Sequence, residues 1–212
     1  MAKTSAPPLN GRRAQAAHND QRILDAARAV FTANPEAPIA TVAERAGVGI
    51  GALYRRYLNK DALLQQLALD GLRHYLAAAD AALADEGDSW TAFAHFMRRS
   101  LDEGAGSLTL RFAGRFSASE ELYRLGRDAH DATQRLLDRT RAAGVLRPDI
   151  DVADLTLIFE QLQAIHAGDE QRARQLRHRY LALLLDALHT PSAAPLPGPP
   201  PRWDEITQRY EG

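Results

Sequence analysis

Apolar residues recur along most of the chain at the spacing of an α-helix. In QRILDAARAVFTAN, Ile23, Ala27 and Phe31 fall on one face, and Asn19 or Asp20 stands where a helix cap is expected. No segment of useful length alternates between apolar and polar residues as a half-buried β-strand would. The pattern therefore predicts an all-α fold.

Proline, glycine and capping residues divide this pattern into short helices near the N-terminus. Two prolines in NPEAPIA end the first helix, and a second helix is predicted over 42–46. Thr41 and Glu44 have the T-x-x-E spacing of a capping box at its start, and Gly47 ends it. A third helix is predicted over 49–57.

The later boundaries follow from the same kinds of residue. Asn59 is expected to cap a fourth helix and Ser89 a fifth. Further helices are predicted over 107–116, 119–143, 152–167 and 169–189. The proline-rich stretch TPSAAPLPGPPPR predicts an extended, mobile tail, which WDEITQRY could end with a turn of helix.

The composition excludes several classes of protein. There is no cysteine, so disulfides, thiolate metal sites and cysteine nucleophiles are ruled out. No apolar run approaches the ~20 residues of a membrane span, and the N-terminus lacks the apolar core of a secretory signal, so we expect a cytoplasmic protein. The histidines form no H-x-x-x-H pair, and neither G-x-S-x-G nor a phosphate-cradling loop is present. We expect no catalytic site, no metal and no cofactor.

Basic residues are concentrated at the N-terminal end of the chain. Residues 1–60 hold nine Lys or Arg against four Asp or Glu, whereas residues 61–212 hold 17 against 23. A basic N-terminal part followed by an acidic remainder indicates that the N-terminal part binds a polyanion, unless the clustering arose by chance.

The stretch AGVGI leaves at most five residues between the second and third helices. Two helices joined by so short a glycine-containing turn must cross steeply, which is the helix-turn-helix geometry. In that motif the second helix enters the major groove of DNA by its N-terminal end. Gly51 and Ala52 leave room for close approach to base edges, and Tyr54, Arg55 and Arg56 carry groups that reach phosphates. A tight helical corner with a solvated basic face would also explain the spacing.

The segment IATVAERAGVGIGALYRRYLNKDALL resembles the DNA-binding segment of the tetracycline-repressor (TetR) family of transcriptional regulators. The residues in step with the family pattern are Ala43, Ala46, Gly47, Val48, Gly51, Leu53, Tyr54, Tyr57, Lys60 and Leu63. The resemblance covers about residues 20–65, and beyond residue 70 only the helical layout is similar.

This resemblance implies a set of DNA contacts on and around the third helix. They are Thr41, Gly49, Ile50, Gly51, Ala52, Tyr54, Arg55, Arg56, Tyr57 and Lys60. Tyr54, Arg56 and Lys60 would bind phosphates, and Arg55 would be the best reader of guanine. The family often has a basic residue at position 50 and Ser or Thr at positions 49 and 52, so readout at 50 and 52 would be apolar here.

The C-terminal helices carry a wide apolar stripe in WTAFAHFMRRSL and further aromatic residues beyond it. Packing in the core is the ordinary explanation for any single one of these residues. The resemblance to TetR implies in addition a small-molecule pocket with a mainly apolar lining. The implied ligand-binding residues are Trp90, Phe93, Phe96, Met97, Phe112, Phe116, Phe159, Gln163 and His166.

By the same resemblance, the helices predicted over 152–167 and 169–189 would pair with those of a second copy as a four-helix bundle. Their apolar residues cover too wide an arc for a lone surface helix. The implied dimer interface contains Leu155, Ile158, Leu162, Tyr180 and Leu184.

Together these inferences divide the chain into four segments. Residues 1–18 would form a flexible basic arm or an ordinary solvated tail, and 19–65 a three-helix helix-turn-helix domain that binds DNA. Residues 66–189 would form an all-helical ligand-binding and dimerisation domain, and 190–212 a proline-rich tail. The implied function is a homodimeric repressor that a small-molecule effector, apolar or of mixed polarity, releases from a palindromic double-stranded DNA operator. An activator or a ligand-independent DNA-binding regulator is the alternative.

Overall fold

The protein was analysed as a computed structural model, which describes residues 9–104, 118–189 and 194–208. The regular elements in these ranges are all helices, so the predicted all-α class is confirmed. The chain divides into two compact units, residues 1–67 and 68–212. The helix predicted over 107–116 lies outside the described residues.

The first unit is built from three helices and the beginning of a fourth. They are α1 (Leu9–Ala33), α2 (Ile39–Ala46), α3 (Ile50–Arg56) and α4 (Lys60–Ala84), the last of which continues into the second unit. α2 packs against both α1 and α3. Ala27, Phe31, Val42 and Leu53 are completely buried, so the predicted apolar faces form one core.

The first helix begins earlier in the chain than the expected cap at Asn19 or Asp20 predicts. It begins at Leu9, which places Asn19 and Asp20 inside the helix rather than at its start. Residues 9–18, where we predicted a flexible arm, are therefore helical. The reason is that this stretch contains three alanines, two arginines and a glutamine, which favour helix, and no proline.

The capping box predicted for Thr41 and Glu44 is wrong. α2 begins at Ile39, and its cap, Pro38, makes no side-chain hydrogen bond to the helix. The buried residues of α2 are Ile39, Val42, Ala43 and Ala46. Because this apolar stripe starts at Ile39, burial extends the helix backwards and leaves Thr41 exposed in its first turn.

The second unit contains the rest of α4 and five further described helices. They are α5 (Ser89–Asp102), α6 (Glu120–Ala142), α7 (Val152–Gln163), α8 (Glu170–Leu188) and α9 (Trp203–Thr207). α5 packs against α6, α7 and α8, while α7 also packs against α6, α8 and α9. None of the helices in the described ranges combines the length and the apolar character that crossing a bilayer requires.

Two of the predicted helix boundaries need correction. Asp88 rather than Ser89 caps α5, because the Asp88 carboxylate accepts from the Thr91 backbone N–H. α7 ends at Gln163 instead of continuing to residue 167. Beyond that point the Ile165 carbonyl accepts a hydrogen bond from the Arg177 guanidinium of α8, at 3.2 Å. The expected cap at Asn59 is confirmed, since its side chain accepts from the Ala62 N–H at 2.8 Å.

The described part of the C-terminal tail packs on the second unit, contrary to the prediction of a free, mobile extension. The Ala194 carbonyl accepts from Arg147, and the Leu196 N–H donates to an Asp149 oxygen at 2.8 Å. Ile206 of α9 is only 3% exposed and lies in a core cluster with Ala153. The predicted terminal turn of helix is present as α9.

Candidate nucleic-acid interface

The corner between α2 and α3 consists of three residues, two of which are glycines. Gly47 ends α2 in the left-handed conformation, with φ of +63°. The Gly47 and Val48 N–H groups then donate to the Glu44 and Ala43 carbonyls, both at 3.0 Å. This pattern satisfies carbonyls at the end of α2 and turns the chain sharply into α3. Gly49 precedes α3 in extended conformation.

α3 is anchored on one side and open on the other. Leu53 is completely buried, whereas Ile50 and Tyr54 are 44% and 48% exposed. The remaining predicted DNA contacts that are exposed are Thr41, Gly49, Gly51, Ala52, Arg55 and Arg56. The outward face at the start of α3 thus carries one large apolar side chain between small residues, which allows another molecule to approach the helix backbone closely.

Arg55 lies along this same outward face. A Cβ placed on Gly51 would be 3.8 Å from the nearest guanidinium nitrogen of Arg55, so the side chain reaches back towards the start of α3. Gly51 and Arg55 are four residues apart and therefore neighbours on one helix face. A guanidinium in this position is suited to bidentate hydrogen bonding with a planar acceptor such as a guanine edge.

Arg56 has different surroundings, because it is bound to Asp20 of α1. Its Nε donates to Asp20 Oδ1 at 2.8 Å and its Nη2 to Oδ2 at 2.5 Å. The Tyr57 hydroxyl donates to the same Oδ1 at 2.8 Å. The hydrogen bond from Arg56 lowers the pKa of Asp20, and the bond to Asp20 raises the pKa of Arg56. Both groups therefore stay charged over a wide pH range.

Two other predicted DNA contacts are engaged within the first unit. Tyr57 is only 4% exposed, so the structure places it in the core rather than at the surface. The Lys60 ammonium donates to the Pro35 carbonyl at 2.9 Å and lies over the Phe31 ring, 5.1 Å from its centroid. The structure therefore corrects the surface position predicted for Tyr57, whereas the DNA contact of Lys60 stays a prediction.

Asp20 is the residue of this surface that the sequence reasoning missed. It was considered only as a helix cap, whereas its structural role is to bind Arg56 and Tyr57. Those partners lie 36 and 37 residues further along the chain. No local spacing rule connects residues so far apart, so only the packing of α1 beside the end of α3 reveals the cluster.

The aromatic residues predicted to line a ligand pocket form a packed core in the second unit. Phe93, Phe96, Met97 and Phe159 are at most 2% exposed. Tyr75 of α4 packs edge-on against Phe96 and Phe159, with ring centroids 5.2 and 6.3 Å apart. Burial raises the pKa of Tyr75 to about 12, and its hydroxyl lies 3.2 Å from the Thr133 hydroxyl.

The other predicted ligand-binding residues in the described ranges are Gln163, His166 and Trp90, and the Trp90 ring packs against Phe93 with centroids 5.6 Å apart. Gln163 is buried, and its amide donates to the Leu101 carbonyl at 2.8 Å. His166 is exposed beyond the end of α7, and Trp90 is stacked on His189 with centroids 4.1 Å apart. Phe112 and Phe116 lie outside the described residues. A surface cavity of about 360 Å³ between residues 148–151 and the proline-rich tail is lined by none of the predicted set.

Only some of the predicted dimer residues are available for an interface. Leu155 and Leu162 are buried inside the unit, at 0% and 3% exposure, and the prediction is wrong for them. They point inwards because α7 packs on α5, α6 and α8. The predicted residues with accessible surface are Ile158, Tyr180 and Leu184, and the neighbouring Leu183 is 55% exposed.

Over the described ranges, no group of three or more His, Cys, Asp or Glu is placed to hold a metal ion. The candidate site is the exposed face of α3 together with the cluster of Asp20, Arg56 and Tyr57 at its end.

Two family models match the sequence. Residues 23–67 match the one described as bacterial regulatory proteins, tetR family. Residues 88–190 match the one described as transcriptional regulator SbtR-like, C-terminal domain. The first match lies within the first unit, which contains the helix-turn-helix, and the second lies within the second unit. A search of curated protein sequences gave no significant match.

Solved structures with a similar fold include several regulators. The TetR transcriptional regulator SCO0520 from Streptomyces coelicolor is 28% identical, with a TM-score of 0.58 over 82% of this chain and 99% of that one. A TetR transcription regulatory protein from Mycobacterium vanbaalenii is 26% identical, with a TM-score of 0.58 over 84% and 98% of the two chains. LfrR from Mycobacterium smegmatis, solved in complex with proflavine, shares the fold at 22% identity and a TM-score of 0.58, over 84% and 99% of the chains.

Proposed function

Because the chain belongs to the TetR family of bacterial transcriptional regulators, we propose that it is a homodimeric repressor of a palindromic DNA operator. A small molecule that enters the second unit releases it from that operator. The observation that carries the proposal is the exposed outward face of α3, in which Ile50 and Tyr54 stand out between small residues. A helix with this surface after a three-residue corner has the form that enters the major groove.

The proposed contacts divide into those that read bases and those that position the helix. Ile50 and Ala52 offer apolar atoms, which suit the methyl group of thymine, and Arg55 offers a bidentate donor for guanine. Tyr54 of α3 and Thr41 of α2 are exposed, and their hydroxyls would bind phosphates, which fix the register without reading sequence. Gly49 and Gly51 allow the backbone of α3 to come close to base edges.

A palindromic operator requires two copies of α3, and α7 and α8 offer apolar surface for pairing. Tyr180 and Leu183 of α8 are about half exposed, and Ile158 and Leu184 are partly exposed. Large apolar side chains clustered on two neighbouring helices favour burial against a second copy. We propose this face as the dimer interface, in place of Leu155 and Leu162.

The proposed effector is a small molecule that is apolar or of mixed polarity. The second unit holds Tyr75, Phe93, Phe96 and Phe159, an aromatic cluster that such a molecule would contact. The complex of LfrR with proflavine supports small molecules as a class of partner for this fold. To cause release, the effector must bind more tightly to the conformer whose two α3 helices are wrongly spaced for DNA.

Selection of bound sequences from random double-stranded DNA tests the DNA-binding part of the proposal. The expected result is a palindrome whose half-sites are centred about one helical turn, or a small multiple, apart. With the selected site, Arg55→Ala should cost about 1–3 kcal/mol of binding free energy and relax preference at one base pair of each half-site. Enrichment of no sequence would contradict a sequence-specific regulator.

A reporter gene under the selected operator, with a panel of small molecules added, tests the remaining parts. Repression that one compound relieves is the expected result. Activation of the reporter would mean that the protein is an activator and not a repressor. Repression that no compound changes, with DNA affinity equally unaffected in a gel-shift assay, would favour the ligand-independent regulator.

A further inference from the structure

The last turn of α3 carries two neighbouring arginines whose side chains take opposite directions. The Arg55 guanidinium lies back over Gly51 on the outward face. The Arg56 guanidinium is held against α1 by both oxygens of Asp20. The two residues have the same chemistry but lie on different sides of the helix, and the Arg56 guanidinium, which is also 5.6 Å from the centroid of the Tyr57 ring, is the one paired with the Asp20 carboxylate.

We propose that Asp20 is a specificity-determining residue for DNA binding: it withholds the charge of Arg56 from DNA phosphates, so that Arg55 is the cation α3 presents to the bases. The inference rests on the proposed DNA-binding function of this surface. Phosphate contacts strengthen binding to every sequence alike. Withholding one of them lowers affinity for non-operator DNA and leaves the base contacts to decide where the protein binds.

The geometry of the pair explains how Asp20 competes with a phosphate. The two hydrogen bonds, at 2.8 and 2.5 Å, form the parallel fork in which a guanidinium binds a carboxylate most strongly. A phosphate would have to displace both bonds at once, although the Arg56 side chain is 59% exposed. The Asp20 side chain is only 22% exposed and sits on a helix, so it cannot follow Arg56 outwards.

Tyr57 holds the carboxylate in place independently of Arg56. Its hydroxyl donates to Asp20 Oδ1 at 2.8 Å, and the Tyr57 ring is buried in the core of the first unit. The Asp20 carboxylate is ionised at neutral pH, as an aspartate ordinarily is. The acceptor for Arg56 is therefore preformed before any DNA arrives.

Asp20→Asn tests the proposal, because asparagine has the same shape and keeps one oxygen for the Tyr57 hydroxyl. Binding to a non-operator duplex is measured by fluorescence anisotropy over a series of salt concentrations. If the freed Arg56 guanidinium binds one more phosphate, the plot of log K against log salt should become steeper by about 0.9. Between 200 and 50 mM salt, the affinity of the variant relative to the wild type should then rise about 3.5-fold. The ratio of operator to non-operator affinity should fall.

Arg56→Gln and the double variant Asp20→Asn/Arg56→Gln provide the controls. If Arg56 is withheld from DNA in the wild type, Arg56→Gln keeps the wild-type slope, and the double variant has this same slope. Circular dichroism verifies that each variant is folded. Should Asp20→Asn fail to fold, Arg56→Gln still tests the proposal, because a shallower slope in that variant would contradict it.

Three results would overturn the inference. A slope about 0.9 shallower in Arg56→Gln would mean that Arg56 already binds a phosphate. A steeper slope that persists in the double variant would mean that loss of the acidic charge, not release of Arg56, caused the change. An unchanged slope in folded Asp20→Asn would mean that Asp20 has only a structural role. A wild-type protein with no salt-dependent DNA binding would instead contradict the proposed function itself.

Discussion

Single residues in the second unit join distant loops through charged hydrogen bonds. Arg147, which follows α6, binds both oxygens of Asp149 at 2.6 and 3.0 Å and also donates to the Ala194 carbonyl. The Leu196 N–H donates to the same Asp149 carboxylate. The hydrogen bond from Arg147 has the largest effect and that from Leu196 the next largest, and together they hold the pKa of Asp149 well below its ordinary value of 3.8. One carboxylate therefore connects the loop after α6 to the proline-rich tail.

This arrangement predicts a loss of stability in acid. Since the pKa of Asp149 is lower in the folded than in the unfolded protein, its contribution is complete above pH ~4 and declines as the pH falls below that value. Asp149→Asn should therefore lower the Tm at pH 7, and the difference from the wild type should shrink at pH 3. Thermal unfolding followed by circular dichroism measures both. An equal difference at the two pH values would argue against ionisation of Asp149 as the cause.

At the scale of elements, the three-residue corner between α2 and α3 depends on the conformation of Gly47. Its φ of +63° is one that residues with a side chain rarely adopt. A Cβ at this position would also come within 2.8 Å of the Arg22 guanidinium, which donates to the Ala46 carbonyl at 2.6 Å. Gly49, by contrast, has extended backbone and no neighbouring atom within 4 Å of a Cβ.

The two glycines therefore give a matched pair of variants. Gly47→Ala should reduce the free energy of unfolding by about 1–2 kcal/mol, the usual cost of left-handed backbone for an L-residue. Gly49→Ala should change it by less than about 0.5 kcal/mol, because nothing there obstructs a methyl group. Urea unfolding followed by circular dichroism provides the measurement. Equal effects of the two substitutions would mean that backbone conformation does not govern the corner.

At the scale of the whole molecule, the C-terminal tail is part of the second unit's core. Ile206 packs in one cluster with Ala153, and Leu157 and Trp203 are packed against it. The Trp203 ring also lies against His130 of α6, with centroids 4.4 Å apart. α9 thus covers apolar surface on α7 that would otherwise be exposed to water, and this burial stabilises the unit.

Truncating the buried side chain tests this role of the tail. Ile206→Ala should lower the free energy of unfolding by about 2–5 kcal/mol, as for other buried isoleucines. Leu196→Ala is the control, since Leu196 is 43% exposed and its substitution should cost less than about 0.5 kcal/mol. Urea unfolding followed by fluorescence reports on this unit, because both tryptophans, Trp90 and Trp203, belong to it. If Ile206→Ala left the free energy of unfolding unchanged, the tail would contribute little to stability.

Assembly of two copies is also a property of the whole molecule. Leu183 is 55% exposed on α8, so Leu183→Asp should leave the fold intact but place a charge in the proposed dimer interface. Light scattering should give twice the chain mass for the wild type and the single-chain mass for this variant. Leu58→Asp, at an 82% exposed position in the turn before α4, should remain dimeric. A monomeric wild type would contradict the proposed dimer.

The features that could be predicted without the structure depend on residues close together in the chain. The helices, the glycine corner after α2 and the Asn59 cap follow from contacts between residues three to five apart, and such contacts repeat in a recognisable pattern. The family resemblance over 20–65 rests on the same short-range features. Among these features the all-α fold class and the Asn59 cap are confirmed, whereas the DNA contacts on the third helix stay predictions.

The side chains available to the site depend instead on contacts between distant parts of the chain. Arg56 looked equivalent to Arg55 until α1 placed Asp20 beside it, and Leu155 and Ile158 looked alike until α7 packed with only one of them inwards. The proline-rich sequence predicts a mobile tail, whereas in the structure Ile206 is buried against α7. In each case the deciding partner is more than 30 residues away along the chain or depends on how helices pack. Burial and ion pairing between distant residues are properties of the packed chain, because they exist only once its elements have come together.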